Sequence, residues 1–136
     1  MAIKTIKKLL EKHLSLMTPP ISTAYENTNF KPVDGQPYQR VQVTPLPPDN
    51  PTLGDDYYRE RGEFQVFLAY PVNKGAADAL LRAEAVQAHF KRGTVLQEGN
   101  VRLHILKTPT VSGSIISGDR YVVPVIIQYE AEVIPL

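Results

Sequence analysis

The fold is decided by Gly62–Tyr70, GEFQVFLAY, and the stretch that follows it from Pro71 to Gly93, PVNKGAADALLRAEAVQAHFKRG. Phe64, Val66, Leu68 and Tyr70 fall on one face of an extended chain, while Phe67 and Ala69 make the other face half apolar. That pattern predicts a strand interior to a sheet. After Pro71 the period changes from two to about 3.6. Ala76, Ala79, Leu80, Ala83, Val86 and Phe90 form one stripe, with Asp78, Arg82, Gln87 and Lys91 mostly off it. This predicts a helix packed on the sheet. Asn73 is its expected N-cap, and Lys91, Arg92 and Gly93 supply the last-turn charge and the left-handed residue that end it.

Upstream, Ala2–Met17 carries Ile3, Ile6, Leu10, Leu14 and Met17 at helical spacing, and Thr18-Pro19-Pro20 stops it. Lys4, Lys8 and Lys12 line its other side, with Lys7 nearby. Such a row is ordinarily a solvated face, and is otherwise a surface for an anionic partner. Ile21–Phe30 reads as a short strand, Asp34-Gly35 as a reversal and Tyr38–Val43 as the returning strand of a hairpin. From Thr44 to Asp56 the sequence TPLPPDNPTLGDD has no period, four prolines and a glycine, and predicts an extended surface arm. Tyr57-Tyr58-Arg59-Glu60-Arg61 then leads into the central strand.

The last third is β-rich. Val101, Leu103 and Ile105 alternate with Arg102 and His104, and Tyr121–Ile134 alternates over a longer run. Pro124 inside that run predicts a bulge or an edge position, since it cannot donate to a ladder. Between them Lys107–Arg120, KTPTVSGSIISGDR, is a polar loop whose Ile115 and Ile116 have little local core to fill. The fold class is therefore α+β in a single domain over 1–136. A mixed, mainly antiparallel sheet carries the N-terminal and central helices on one side, with extended loops near 44–56 and 107–120.

Composition narrows the function. With 15 basic and 14 acidic residues the chain has no global charge suited to nucleic acid. No cysteine is present, so thiolate chemistry and disulfides are out. No apolar run approaches the ~20 residues that cross a bilayer, so no membrane partner is expected and a cytoplasmic chain is. His13, His89 and His104 lie on different elements without metal-ligand spacing. Neither G-x-S-x-G, G-x-x-x-x-G-K-[ST] nor G-x-G-x-x-G occurs. Asp55-Asp56 has no partner acid or base. No catalytic residue, metal site or cofactor is expected.

The run Tyr25-Glu26-Asn27-Thr28-Asn29-Phe30-Lys31-Pro32, followed by Pro37-Tyr38-Gln39-Arg40-Val41, resembles the pattern EN-x-x-F-x-P … PY-x-R-V of small tail proteins of tailed bacteriophages and prophages. That group is similar to the tail terminators of long-tailed phages, the family that includes the minor tail protein U of lambda. Glu26, Asn27, Phe30, Pro32, Tyr38 and Arg40 are the matching positions. They read as fixing the hairpin, with Phe30 packed and Glu26 paired to Arg40 across strands.

The resemblance implies a hexameric ring that caps the tail tube, stops its polymerisation and joins it to the head-side connector. DNA would pass through the lumen without sequence recognition. Its partners would be itself, the tube protein and the connector. Its place would be the virion tail, assembled in the host cytoplasm. A ring needs two different patches on each subunit. Candidates are Leu46, Asp55 and Asp56 on the Pro-rich arm, Tyr58, Arg59 and Arg61 at the strand entrance, and Ile115, Ile116 and Arg120 on the later loop. Arg59, Arg61 or the Lys4 row are offered to the lumen on charge alone. Two other readings stay open: a head–tail joining or neck protein, and a small α+β enzyme or ligand-binding domain.

Overall fold

The computed structural model of the chain describes residues 2–51 and 57–134. In order, the elements are α1 (Ala2–Ser15), β1 (Ser22–Ala24), β2 (Tyr38–Asp49), β3 (Tyr58–Pro71), α2 (Ala77–His89), β4 (Val95–Glu98), β5 (Val101–Ile105), β6 (Thr110–Val111), β7 (Ile115–Ser117) and β8 (Arg120–Val133). The sheet runs β1-β2-β3-β8-β5-β4, with β6 and β7 paired to other stretches of β8. All pairings except β1 with β2 are antiparallel. The expected α+β class holds, and the central position of the quoted strand follows from its neighbours, β2 on one side and β8 on the other.

Both helices lie on one face. Ile6, Leu9, Leu10 and Leu14 of α1 and Ala79, Ala83 and Val86 of α2 share one cluster with Phe64, Val66, Leu68, Leu103, Ile127 and Phe90. Fully burying a side chain of this size stabilises by about 1.5–3 kcal/mol, so this face is where the fold is held. Among the described residues no helix covers the other face.

Several expectations are corrected. Ser22–Ala24 pairs with Tyr38–Arg40 in parallel, so the two strands are not a hairpin. The Asp34-Gly35 turn forms, with Gly35 at φ 76, but inside a loop that carries the chain back to the same end. The arm from Thr44 is a strand as far as Asp49, in register with β3 as Pro45↔Gly62 and Leu46↔Arg61, with an irregularity before Asp49↔Arg59. The reason is geometric. Val43 N–H points away from β3, onto the Glu26 carboxylate at 3.0 Å, so the N–H that Pro45 lacks, two residues on, is also an outward one. Its absence costs no ladder bond. Asp55 and Asp56 lie outside the described residues.

The 107–120 segment likewise contains two short strands, β6 and β7, hydrogen-bonded to β8. Pro124 is at no sheet edge. Its carbonyl accepts from Ser112 N–H at 2.9 Å, so its missing N–H faces the break between β6 and β7. β4, for which there was no expectation, pairs with β5.

On α2 the cap is Ala76, without a side-chain bond, and Asn73 sits in the preceding turn at φ 62. Leu80 and Leu81 are exposed, whereas Arg82 is buried. Its Nη1 donates to the Pro19 carbonyl at 2.6 Å and ties the chain after α1 to the middle of α2.

The helix C-termini meet at a histidine pair. The His13 and His89 rings stack with centroids 4.0 Å apart. Each Nε2 lies within hydrogen-bond distance of the other residue's carbonyl, at 2.9 and 2.6 Å. The Nε2–H tautomer satisfies both bonds. Burial lowers the His13 pKa below its ordinary value, the His89 carbonyl opposes that, and the His89 charge adds to it. The unfolded chain therefore binds a proton that the folded chain resists. Stability is expected to be full above the ordinary histidine value and to decline as pH falls through and below it. Urea unfolding across that range should show a shallower decline in His13→Asn; an unchanged slope would contradict the assignment.

Candidate functional site

The surface most in need of explanation lies where β7 crosses the start of β8. Ile115 is 58% and Ile116 73% exposed. Strand alternation sends them to opposite faces, in register with Val122 and Tyr121. Ile115 borders a hollow of ≈ 340 Å³ on the helix-free face, with Tyr38, Arg40, Phe67, Arg120 and Val122 around it. Ile116 borders a second hollow of ≈ 270 Å³ with Val72, Ala76 and Tyr121. Two large apolar side chains thus straddle the sheet beside two depressions. Strand pairing holds them there, and intramolecular packing leaves them mostly in water.

Arg120, expected on the surface, is buried. Its guanidinium donates to the Gln36 carbonyl and, at 2.9 Å, to the Val33 carbonyl. It also sits 5.0 Å from the centre of the Tyr38 ring. Tyr38 in turn packs against Phe30, ring centroids 5.2 Å apart. Phe30, Tyr38 and Arg120 therefore form one stack that fastens the loop between β1 and β2 to β8. Phe30 packs as expected. Arg120 is spent inside the chain.

Glu26 does not pair with Arg40. It takes Lys7 at 2.7 Å and the outward Val43 N–H instead. Burial alone raises a carboxyl pKa; these two donors more than offset it and hold Glu26 below its ordinary value. Asn27 occupies φ 55, a left-handed position that asparagine tolerates better than most residues. Pro32 is exposed in the same loop, and Arg40 is exposed at the rim of the first hollow.

At the other end of the helix-free face, Arg59 lies 3.7 Å from Asp49 and 3.8 Å from Glu130. Tyr57 Oη donates to Glu132 at 3.0 Å, and Glu132 also takes His104 at 2.9 Å. Hydrogen bonds from His104 and Tyr57 keep the Glu132 carboxyl low. Arg61 Nε donates to the Pro47 carbonyl at 3.1 Å. Charges there are locally balanced, and the charge argument for facing Arg59 to DNA lapses. Leu46, opposite Arg61, is exposed, and Tyr58 is half-buried on the helix side.

The structure thus brings Tyr38, Arg40, Ile115 and Arg120 to one hollow and leaves Leu46, Tyr58, Arg59 and Arg61 at the far end of the sheet. Phe67 and Val122, which complete the hollow, are missed by sequence reasoning. Their period-two position opposite Val66 and Val123 was the available signal. Among the described residues no group of three histidine or carboxylate side chains is placed to hold a metal. No helix among them is long and apolar enough to cross a membrane.

A family model described as phage tail terminator protein matches residues 5–129. A solved structure that carries only a sequence identifier as its name is similar with a TM-score of 0.78 and 24% identity, covering 96% of this chain and 96% of its own. That likeness speaks for the fold. No curated protein matches the sequence.

Proposed function

The chain belongs to the phage tail terminator family, and from that premise we propose that it closes into a ring, of six subunits, on the last ring of the tail tube. There it stops further tube polymerisation and joins the tube to the head-side connector. DNA passes through its lumen without being read, in keeping with the near balance of 15 basic and 14 acidic residues. Membership makes it a structural component of a phage tail; ring closure, capping and joining are the reading proposed here, with assembly in the host cytoplasm before the virion is complete.

Family membership carries the proposal, and the exposed pair Ile115 and Ile116 supports that end of the sheet as a contact. A ring subunit meets its neighbours through two unlike patches, and an apolar knob beside a hollow supplies one of them. Leu46, Tyr58 and Arg61, at the opposite end of the sheet, are candidates for the other or for the tube. Asp55 and Asp56 stay candidates on sequence alone.

Ile115→Asp and Ile116→Asp test the assignment. Both sites are exposed, so unfolding stability should change by no more than about 0.5 kcal/mol. Assembly, followed by sedimentation velocity with and without tail tubes, should be lost in at least the double variant. A double variant that assembles as the parent does would remove this patch from the interface.

A further inference from the structure

The two outer edges of the main sheet differ. On the β2 side the edge is blunted: β1 covers its first residues, Glu26 caps the outward Val43 N–H, and Pro45 has no outward N–H to offer. These are the devices by which natural sheets avoid pairing with another chain. β4 is short, four residues, but its outer edge has no covering strand, no side-chain cap and no proline among the described residues.

Its hydrogen-bond phase can be read from its flank. Ile105 N–H donates to the Thr94 carbonyl at 3.0 Å, which makes Leu96↔Leu103 and Glu98↔Val101 the bonded pairs of the ladder. The N–H and C=O groups of Val95 and Gln97 therefore point away from β5. Among the described residues none of these four groups has a hydrogen-bond partner. They are two donors and two acceptors at strand spacing.

The surroundings of this edge are basic. The ion pair of Lys8 with Glu98 at 3.2 Å places the row Lys4, Lys8 and Lys12 on the side of α1 that faces β4. Lys91 and Arg92 are exposed in the turn that leads into β4, and Arg102, exposed opposite Gln97, also faces Glu132 in register on β8. Glu98, the acid at the end of the strand, is already taken by Lys8.

We propose that the outer edge of β4 accepts an extended acidic segment of a partner protein by strand addition. Val95 and Gln97 would supply the main-chain bonds, and the lysines and arginines on both sides the selection for negative charge. This inference does not rest on the ring reading.

The test uses the full chain and a short soluble peptide alternating glutamate and threonine, with a lysine–threonine peptide and a duplex oligonucleotide as comparators. Amide hydrogen exchange by NMR should show Val95 and Gln97 slowed by about tenfold or more with the acidic peptide. The basic peptide should leave them unchanged. Gln97→Pro removes one outward donor and should weaken acidic-peptide binding about tenfold. Should that variant fail to fold, Lys4→Glu with Lys12→Glu, which touches no ladder bond, should weaken binding by a similar factor. The proposal is overturned if the acidic peptide leaves both amides unprotected. Equal binding of the two peptides, unimpaired binding by the folded Gln97→Pro chain, or binding of the oligonucleotide alone would overturn it as well.

Discussion

Gly62→Ala is expected to lower the free energy of unfolding by roughly 2–3 kcal/mol, near the upper end of what overpacking a core costs. A β-carbon at Gly62 would lie 2.5 Å from the Thr44 carbonyl oxygen, 2.6 Å from the Tyr129 hydroxyl and 2.9 Å from its ring carbon. The first neighbour is backbone of β2, fixed by its ladder with β3, and cannot yield cheaply. The second is a buried hydroxyl without a hydrogen-bond partner among the described residues. Burial pushes its pKa up to about 12, with the charge of nearby Glu60 adding to the rise. Removing that hydroxyl leaves no other group unpaired, so Tyr129→Phe alone should be close to neutral. In Gly62→Ala it should restore part of the loss, since it relieves the hydroxyl contact and leaves the Thr44 one. Urea unfolding of the two single variants and the double variant measures this coupling. A Gly62→Ala chain as stable as the parent would show that β2 and β3 can part more easily than their register implies.

Arg120→Ala is expected to cost about 3 kcal/mol. Two backbone carbonyls, those of Val33 and Gln36, would lose a charged donor, and the Tyr38 ring would lose the cation beside it. Since Tyr38 also supports Phe30, the effect should spread along the loop between β1 and β2. Hydrogen exchange should accelerate at the Gln36 amide, which bonds to the Val33 carbonyl at 3.1 Å. Arg120→Lys should recover little, because an ammonium group cannot span both carbonyls in the fixed fork of a guanidinium. Unchanged stability and unchanged exchange in this loop would mean that the stack is incidental.

The parts of this fold legible in the sequence are those whose burial has a clean period. β3, β5 and β8 alternate over five residues or more, and α1 places Ile6, Leu10 and Leu14 on one stripe, so their existence and buried faces could be read directly. Harder were elements defined by their neighbours. β4 is four residues of mixed character held by β5 alone, and nothing in VLQE announces a strand. The prolines of β2 read as a loop because a sequence does not say on which side a missing N–H falls. The parallel pairing of β1 is set by where α1 and the following turn deliver the chain. Arg82 and Leu80 exchanged their expected environments because a carbonyl at Pro19, distant in sequence, was there to receive the guanidinium.

The candidate contact surface was partly legible for the same reason. Ile115 and Ile116 stand out as apolar residues in a polar stretch whether or not that stretch forms a strand. Arg120 resembles any surface arginine until the loop that supplies its acceptors is folded against it. The six positions that resemble the tail-protein pattern gather around that loop. Phe30 and Tyr38 stack and Glu26 caps the neighbouring sheet edge, so in this chain these positions anchor a loop.

We propose that this chain ends a tail tube by closing into a ring on it. Electron microscopy of purified tail tubes, incubated with the protein and then with fresh tube subunit, tests it most directly. Rings of about six subunits are expected at one tube end, with tubes that stay at their starting length while untreated tubes grow. Tubes that bear no extra density at either end and elongate equally with and without the protein would contradict it.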